Sequence, residues 1–231
     1  MMPARATRPA SAAARDRARS IAISCALLLA SAVAVASVAE LTVTAYGAQR
    51  LDLATGFTEL PDGGEVVDQG TGVRLTAPWL RYAEGELLEA RDATVDGPFG
   101  RLTAPLVSVD LRIGRLEAAG GVALENEAGH VLRADEMVYD AEAGWAEARG
   151  GVTGEAPTLA ADVVWAHVGS GRLVLAAPYL YEDGPIRLRS DNPGAFLQLT
   201  PVRDADGVIV DYDATTTLDD DVAERLEAEV E

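Results

Sequence analysis

Between residues 40 and 212 apolar and polar side chains alternate at a period of two, in stretches of about ten residues, the signature of half-buried β-strands. The alternation places Leu159, Ala161, Val163 and Trp165 on one face and Ala160, Asp162 and Val164 on the other. Val73, Leu75, Ala77 and Trp79 repeat this pattern, and Leu116, Ala118, Gly120, Val122 and Leu124 show it on a returning strand. Turn signals bound the stretches at Glu84-Gly85, Asp96-Gly97, Ile113-Gly114, Ala128-Gly129, Ala143-Gly144, Gly169-Ser170-Gly171 and Asp183-Gly184. Prolines 78, 105, 157 and 178 belong near strand ends, bulges or edges, since proline cannot donate to a ladder. No amphipathic helix pattern occurs between Glu40 and Thr217; "LDDDVAERLEAEVE" predicts a short exposed acidic helix or a frayed tail over 213–231.

The strands repeat. Leu75-Thr76-Ala77-Pro78, Leu102-Thr103-Ala104-Pro105, Leu132-Arg133-Ala134-Asp135, Leu159-Ala160-Ala161-Asp162 and Leu188-Arg189-Ser190-Asp191 follow one another at spacings of 27, 30, 27 and 29 residues. Glu89-Ala90, Glu117-Ala118 and Glu147-Ala148 keep step between them, 28 and 30 apart. Each unit has room for two strands and two turns, which predicts an all-β antiparallel stack, each unit lying on the one before, with an apolar inner face and strand edges exposed at both ends.

Ahead of the repeats, five arginines between Arg5 and Arg19 precede "IAISCALLLASAVAVASVA" at 21–39. This is the order of a secretory leader, and the run is also long enough to cross a bilayer as an apolar helix. The positive-inside rule puts 1–20 in the cytoplasm and everything from Glu40 outside it. Small residues at Ala34-Val35-Ala36 and Ser37-Val38-Ala39 leave cleavage and retention both open. The single cysteine, Cys25, sits inside this run, too early for a lipobox, so it reads as one more apolar residue and no intramolecular disulfide is possible.

Charge narrows the class of partner. The formal net charge is −18, all 19 basic residues are arginine, and the part after the apolar run carries 14 arginines against 36 acids. Such a surface disfavours nucleic acid and anionic lipid headgroups. Aromatic residues are only 5% of the chain, so Ala, Leu, Val and Gly must fill the interior. Candidate chemistry is sparse. His130 and His167 share no metal spacing, and the repeated Asp135, Asp162 and Asp191 fall on the face opposite the apolar set, where they read as solvated side chains. Carboxylate pairs such as Glu125 and Glu127 are expected by composition alone in a chain with 37 acids. No nucleotide-binding or nucleophile motif is present, so no catalytic residue, metal or cofactor is expected.

"GHVLRADEMVYDAEAGWAEARGGV", residues 129–152, resembles the repeat of the OstA-like family, which includes lipopolysaccharide transport proteins of the LptA and LptC kind. The likeness lies in Leu132-x-Ala134-Asp135, Tyr139-Asp140, a turn, then Glu147-Ala148-x-Gly150-x-Val152, and is best over 115–180. It implies a V-shaped β-jellyroll over 40–212 that binds acyl chains and joins other jellyrolls edge to edge, in a bridge leading from an inner-membrane ABC transporter toward the outer membrane. By position it implies that Leu75, Ala77, Leu102, Ala104, Leu132, Ala134, Leu159, Ala161, Val163 and Trp165 face lipid. The residues themselves leave two readings of the inner face open, a groove for acyl chains and the dry core of a structural β-solenoid. A polysaccharide-active enzyme would need a carboxylate cluster beside aromatics, which the sequence does not present.

Overall fold

The computed structural model describes residues 41–70, 72–97, 100–125, 131–155, 157–167, 169–205 and 209–228. The expected leader or anchor at 1–39, His130 and the last three residues of the acidic tail lie outside the described residues.

The described chain is almost entirely antiparallel β, with sixteen strands in one sheet. Seven long strands form its middle: β7 (Leu87–Gly97), β8 (Gly100–Asp110), β9 (Arg115–Glu125), β10 (Val131–Asp140), β11 (Trp145–Glu155), β12 (Thr158–His167) and β13 (Arg172–Asp183), each paired with the next. Their order in space is their order in sequence, because each tight turn returns the chain beside the strand it has just left.

Halfway along, every long strand bends. Between β7 and β8 the pairing runs from Arg91↔Leu106 to Ala93↔Ala104, skipping Asp92 and Pro105. Register shifts recur at the same level between β8 and β9, β10 and β11, β11 and β12, and β12 and β13. The backbone at this level is built for it: Asp92 and Gly120, Gly121, Gly150 and Gly151 all have positive φ, and Pro105 and Pro178 bring no N–H to the ladder. At Gly150 a side chain has no room, because a Cβ there would lie 2.5 Å from Asp135 Oδ2 on the neighbouring strand.

These bends line up into a crease that divides the sheet into two wings. Beyond the long strands each wing continues separately. On the first wing β6 (Trp79–Ala83), β3 (Thr58–Leu60) and β2 (Arg50–Leu51) extend one end, and β15 (Phe196–Arg203) and β16 (Ile209–Thr215) the other. The second wing continues with β5 (Arg74–Ala77), β4 (Gly64–Asp68) and β1 (Leu41–Ala45) at one end, and with β14 (Ile186–Ser190) at the other. Pro78 is the crease between β5 and β6, as Pro105 is within β8.

The inner faces of the two wings close on each other and form one apolar cluster from Leu60 to Leu199. Leu132, Val152, Val164 and Leu175 are at most 1% exposed. Outer faces carry arginine–carboxylate pairs, among them Arg74–Glu65, Arg101–Asp96 and Arg81–Glu89; at such exposed sites each adds little stability.

Among the described residues there is one helix, α1 (Asp220–Ala228), which lies on the outside of the first wing. Its Val222 and Leu226 pack with Val174, Trp145, Trp165 and Phe196. Asp219 starts the helix: its carbonyl accepts from the N–H groups of Val222 and Ala223, and its side chain and N–H exchange hydrogen bonds with buried Gln198. Arg172 adds a 2.8 Å ion pair to Asp221 in the first turn. Among the described residues no helix is long and apolar enough to cross a membrane.

Candidate functional site

The candidate site is the space between the wings. Leu75, Ala77, Leu102, Ala104, Leu132, Ala134, Leu159 and Ala161 are all buried on the inner face, and all eight belong to the second wing. The repeated phrase Leu-x-Ala therefore marks one wall only.

Val163 and Trp165 depart from the expectation. Both lie on the outer face, while Val164 and Ala166 point into the core. The crease is the reason: β12 changes register between Ala161 and Val163, so the inward positions run 159, 161, 164, 166. Trp165 instead packs beneath α1, with its ring centroid 6.3 Å from that of Phe196. Trp79 departs in the same way. Its indole N–H donates to Glu59 at 2.9 Å on the outer face and Arg91 stacks on its ring at 4.4 Å, while Leu80 takes the inward position.

The facing wall, on the first wing, comes from pairs that strict alternation passed over: Val107 with Val109, Met137 with Tyr139, and Val164 with Ala166. A visible signal was there, since each pair begins three residues after the inward alanine of its Leu-x-Ala phrase. In β9, β11 and β13 the step across the crease is four residues, from Ala118 to Val122, Ala148 to Val152 and Leu175 to Tyr179, and strict alternation survives.

The interior is not uniformly filled. At the N-terminal end an apolar slot of about 60 Å³ remains between Leu41, Val66 and Leu75 of the second wing and Leu88, Val109 and Leu116 of the first. Asp68, 6% exposed, is the only charged side chain on its lining, and its carboxylate accepts the Gly70 N–H at 2.8 Å. A wider opening of about 420 Å³ shares Leu41, Leu88 and Leu111 with the slot and is bounded by Leu41 and Val43 on one side and Tyr82, Glu84, Gly85 and Leu111 on the other. This mouth lies at the rim opposite the crease.

Other residues singled out by the sequence stand apart from the slot. His167 packs against Trp145 with ring centroids 5.1 Å apart and shares a 2.9 Å hydrogen bond with Ser170. Asp135 and Asp162 sit exposed on the crease. Among the described residues no group of three His, Cys, Asp or Glu side chains is placed to hold a metal ion.

No family model matches the chain, and no curated protein matches it. Among solved structures, one that matches is LptH of Pseudomonas aeruginosa, described as the LptA-homologous periplasmic component of the conserved lipopolysaccharide transport device. The match covers 66% of this chain and 95% of that one, at 12% identity and a TM-score of 0.27.

Proposed function

We propose that this protein is a non-enzymatic, extracytoplasmic lipid carrier or bridge subunit that holds acyl chains of a lipopolysaccharide-type lipid between its wings. The observation that carries the reading is the apolar slot at one end of a stack whose inner walls are formed by one continuous apolar cluster. Burial alone supplies the holding force: each methylene removed from water gains about 0.8 kcal/mol. A lipid leaving a bilayer gains no such term, because its chains are already in hydrocarbon. Extraction therefore needs an external driver, which favours a partnership with an inner-membrane ABC transporter, and onward passage favours neighbouring jellyrolls that pair with the free edge strands.

A second reading, a structural β-solenoid with a dry core, is favoured by the tight closure around Leu132, Val152 and Val164. Photocrosslinking separates the two. Crosslinkers at Val43 and Leu111, on either side of the mouth, are expected to capture lipid in membrane-derived preparations, while one at outward Arg133 is not. Capture at all three positions, or at none, would sink the carrier and leave the scaffold.

A further inference from the structure

Leu51 and Leu53 are 61% and 89% exposed at one turn, whereas Tyr46 follows the crease end of β1 and Leu106, Ile113, Ile186 and Val202 stand elsewhere on the surface. Leu53 occupies the tip of the turn that joins β2 to β3, and this turn is held rigidly. The Asp52 carboxylate accepts the Ala54 N–H at 2.9 Å and the Thr55 hydroxyl at 2.8 Å, and Gly56 N–H donates back to the Asp52 carbonyl. A fixed turn that presents leucine to solvent gains nothing within this domain.

The position of the tip explains what it meets. Thr58 of β3 pairs with Tyr82, so the turn before it projects at the first wing's rim, beside the Glu84-Gly85 turn that bounds the slot's mouth. On the opposite rim stands Leu41, paired with Asp68. Both rims lie at the end of the wings away from the crease. Leu41 in turn follows the apolar run 21–39 by two residues, which span at most about 7 Å of extended chain. When that run is retained in a membrane, Leu41 stands within headgroup depth, and the rim carrying Leu53 stands with it.

We infer that the turn around Leu53 beds into the bilayer surface and holds the mouth of the slot against the membrane. The occupant of this exposed patch is thus lipid, of zwitterionic headgroup, since Asp52, Glu84 and Glu86 at the same rim repel anionic ones. The inference goes beyond lipid carriage and does not require the slot to be filled.

The test uses the full chain, residues 1–231, with Cys25→Ser. It is reconstituted in phosphatidylcholine vesicles containing a headgroup-region doxyl quencher, and vesicle-bound protein is isolated by flotation. An environment-sensitive fluorophore is placed at Leu53→Cys or, as control, at Leu106→Cys, which is 53% exposed beside the crease on the far side from the mouth. Both sites are exposed, so neither substitution disturbs the core. Quenching several-fold stronger at position 53 than at 106 is the expected result; equal quenching at the two overturns the inference. The two proposals fail separately. Lipid capture at Leu111 without quenching at 53 overturns the bedding alone, and quenching at 53 without lipid capture overturns the carrier alone.

Discussion

Ala161 and Val164, three residues apart on one strand, both point into the core, because the crease takes up the odd residue between them. Neighbouring valines in β12 therefore differ sharply in what they support. Val164→Ala is expected to cost about 2 kcal/mol, from lost burial and an unfilled space, whereas Val163→Ala, half-buried on the outer face, should cost less than about 1 kcal/mol. Denaturant unfolding of the two variants measures the difference, and equal losses would place the crease elsewhere.

The crease also fixes which of two adjacent glycines is replaceable. Both Gly150 and Gly151 have positive φ, so alanine at either costs about 1–2 kcal/mol in backbone strain. At Gly151 a Cβ meets nothing within 4 Å, but at Gly150 it collides with Asp135. Gly150→Ala should lower the unfolding midpoint clearly more than Gly151→Ala. Adding Asp135→Ala to Gly150→Ala should recover only part of the loss, because the Asp135 Cβ itself lies 2.6 Å from the new methyl position.

Docking of α1 has a defined acid limit. The hydrogen bond from Arg172 holds the Asp221 carboxyl below the ordinary aspartate value. Its contribution is therefore fully present above that ordinary value, near pH 4, and is lost only as pH falls through the lower folded value. Tryptophan emission from Trp165, which lies under the helix, should stay constant from pH 7 to 5 and shift red only in stronger acid. Asp221→Asn should weaken docking at neutral pH and flatten this acid transition. A red shift near pH 6 in the unaltered protein would contradict the ion pair's role.

On the outer face Arg91 stacks on Trp79 at 4.4 Å and Arg81 sits 5.9 Å from the same ring. Arg91→Ala is expected to cost about 0.5–1 kcal/mol, the range of an exposed cation–π contact, and Arg91→Lys to retain part of it. Thermal unfolding of the two variants checks both magnitude and order.

Much of this architecture could be read directly from spacing. The phrase Leu-x-Ala at intervals near 28 residues located β5, β8, β10 and β12, and the glycine-containing turns located the rim. What alternation could not supply was the change of step at the crease. Trp79, Val163 and Trp165 look inward on a strict period of two, and only cross-strand register reveals that Asp92, Pro105 and the double glycines absorb residues there. For the same reason one wall of the candidate site was legible and its partner was not. The slot itself depends on how closely two walls approach, a distance between residues dozens of positions apart that no local pattern encodes.

Because each strand pairs with strands close to it in sequence, from β1 against β4 through β15 against β16, the chain need not be complete before it starts to fold. A chain made from its N-terminus can lay each strand onto an edge already formed. Arg172 waits longer, since its partner Asp221 comes 49 residues later. Closure of α1 over Trp165 thus follows the pairing of the long strands, a seal set only once that ladder stands.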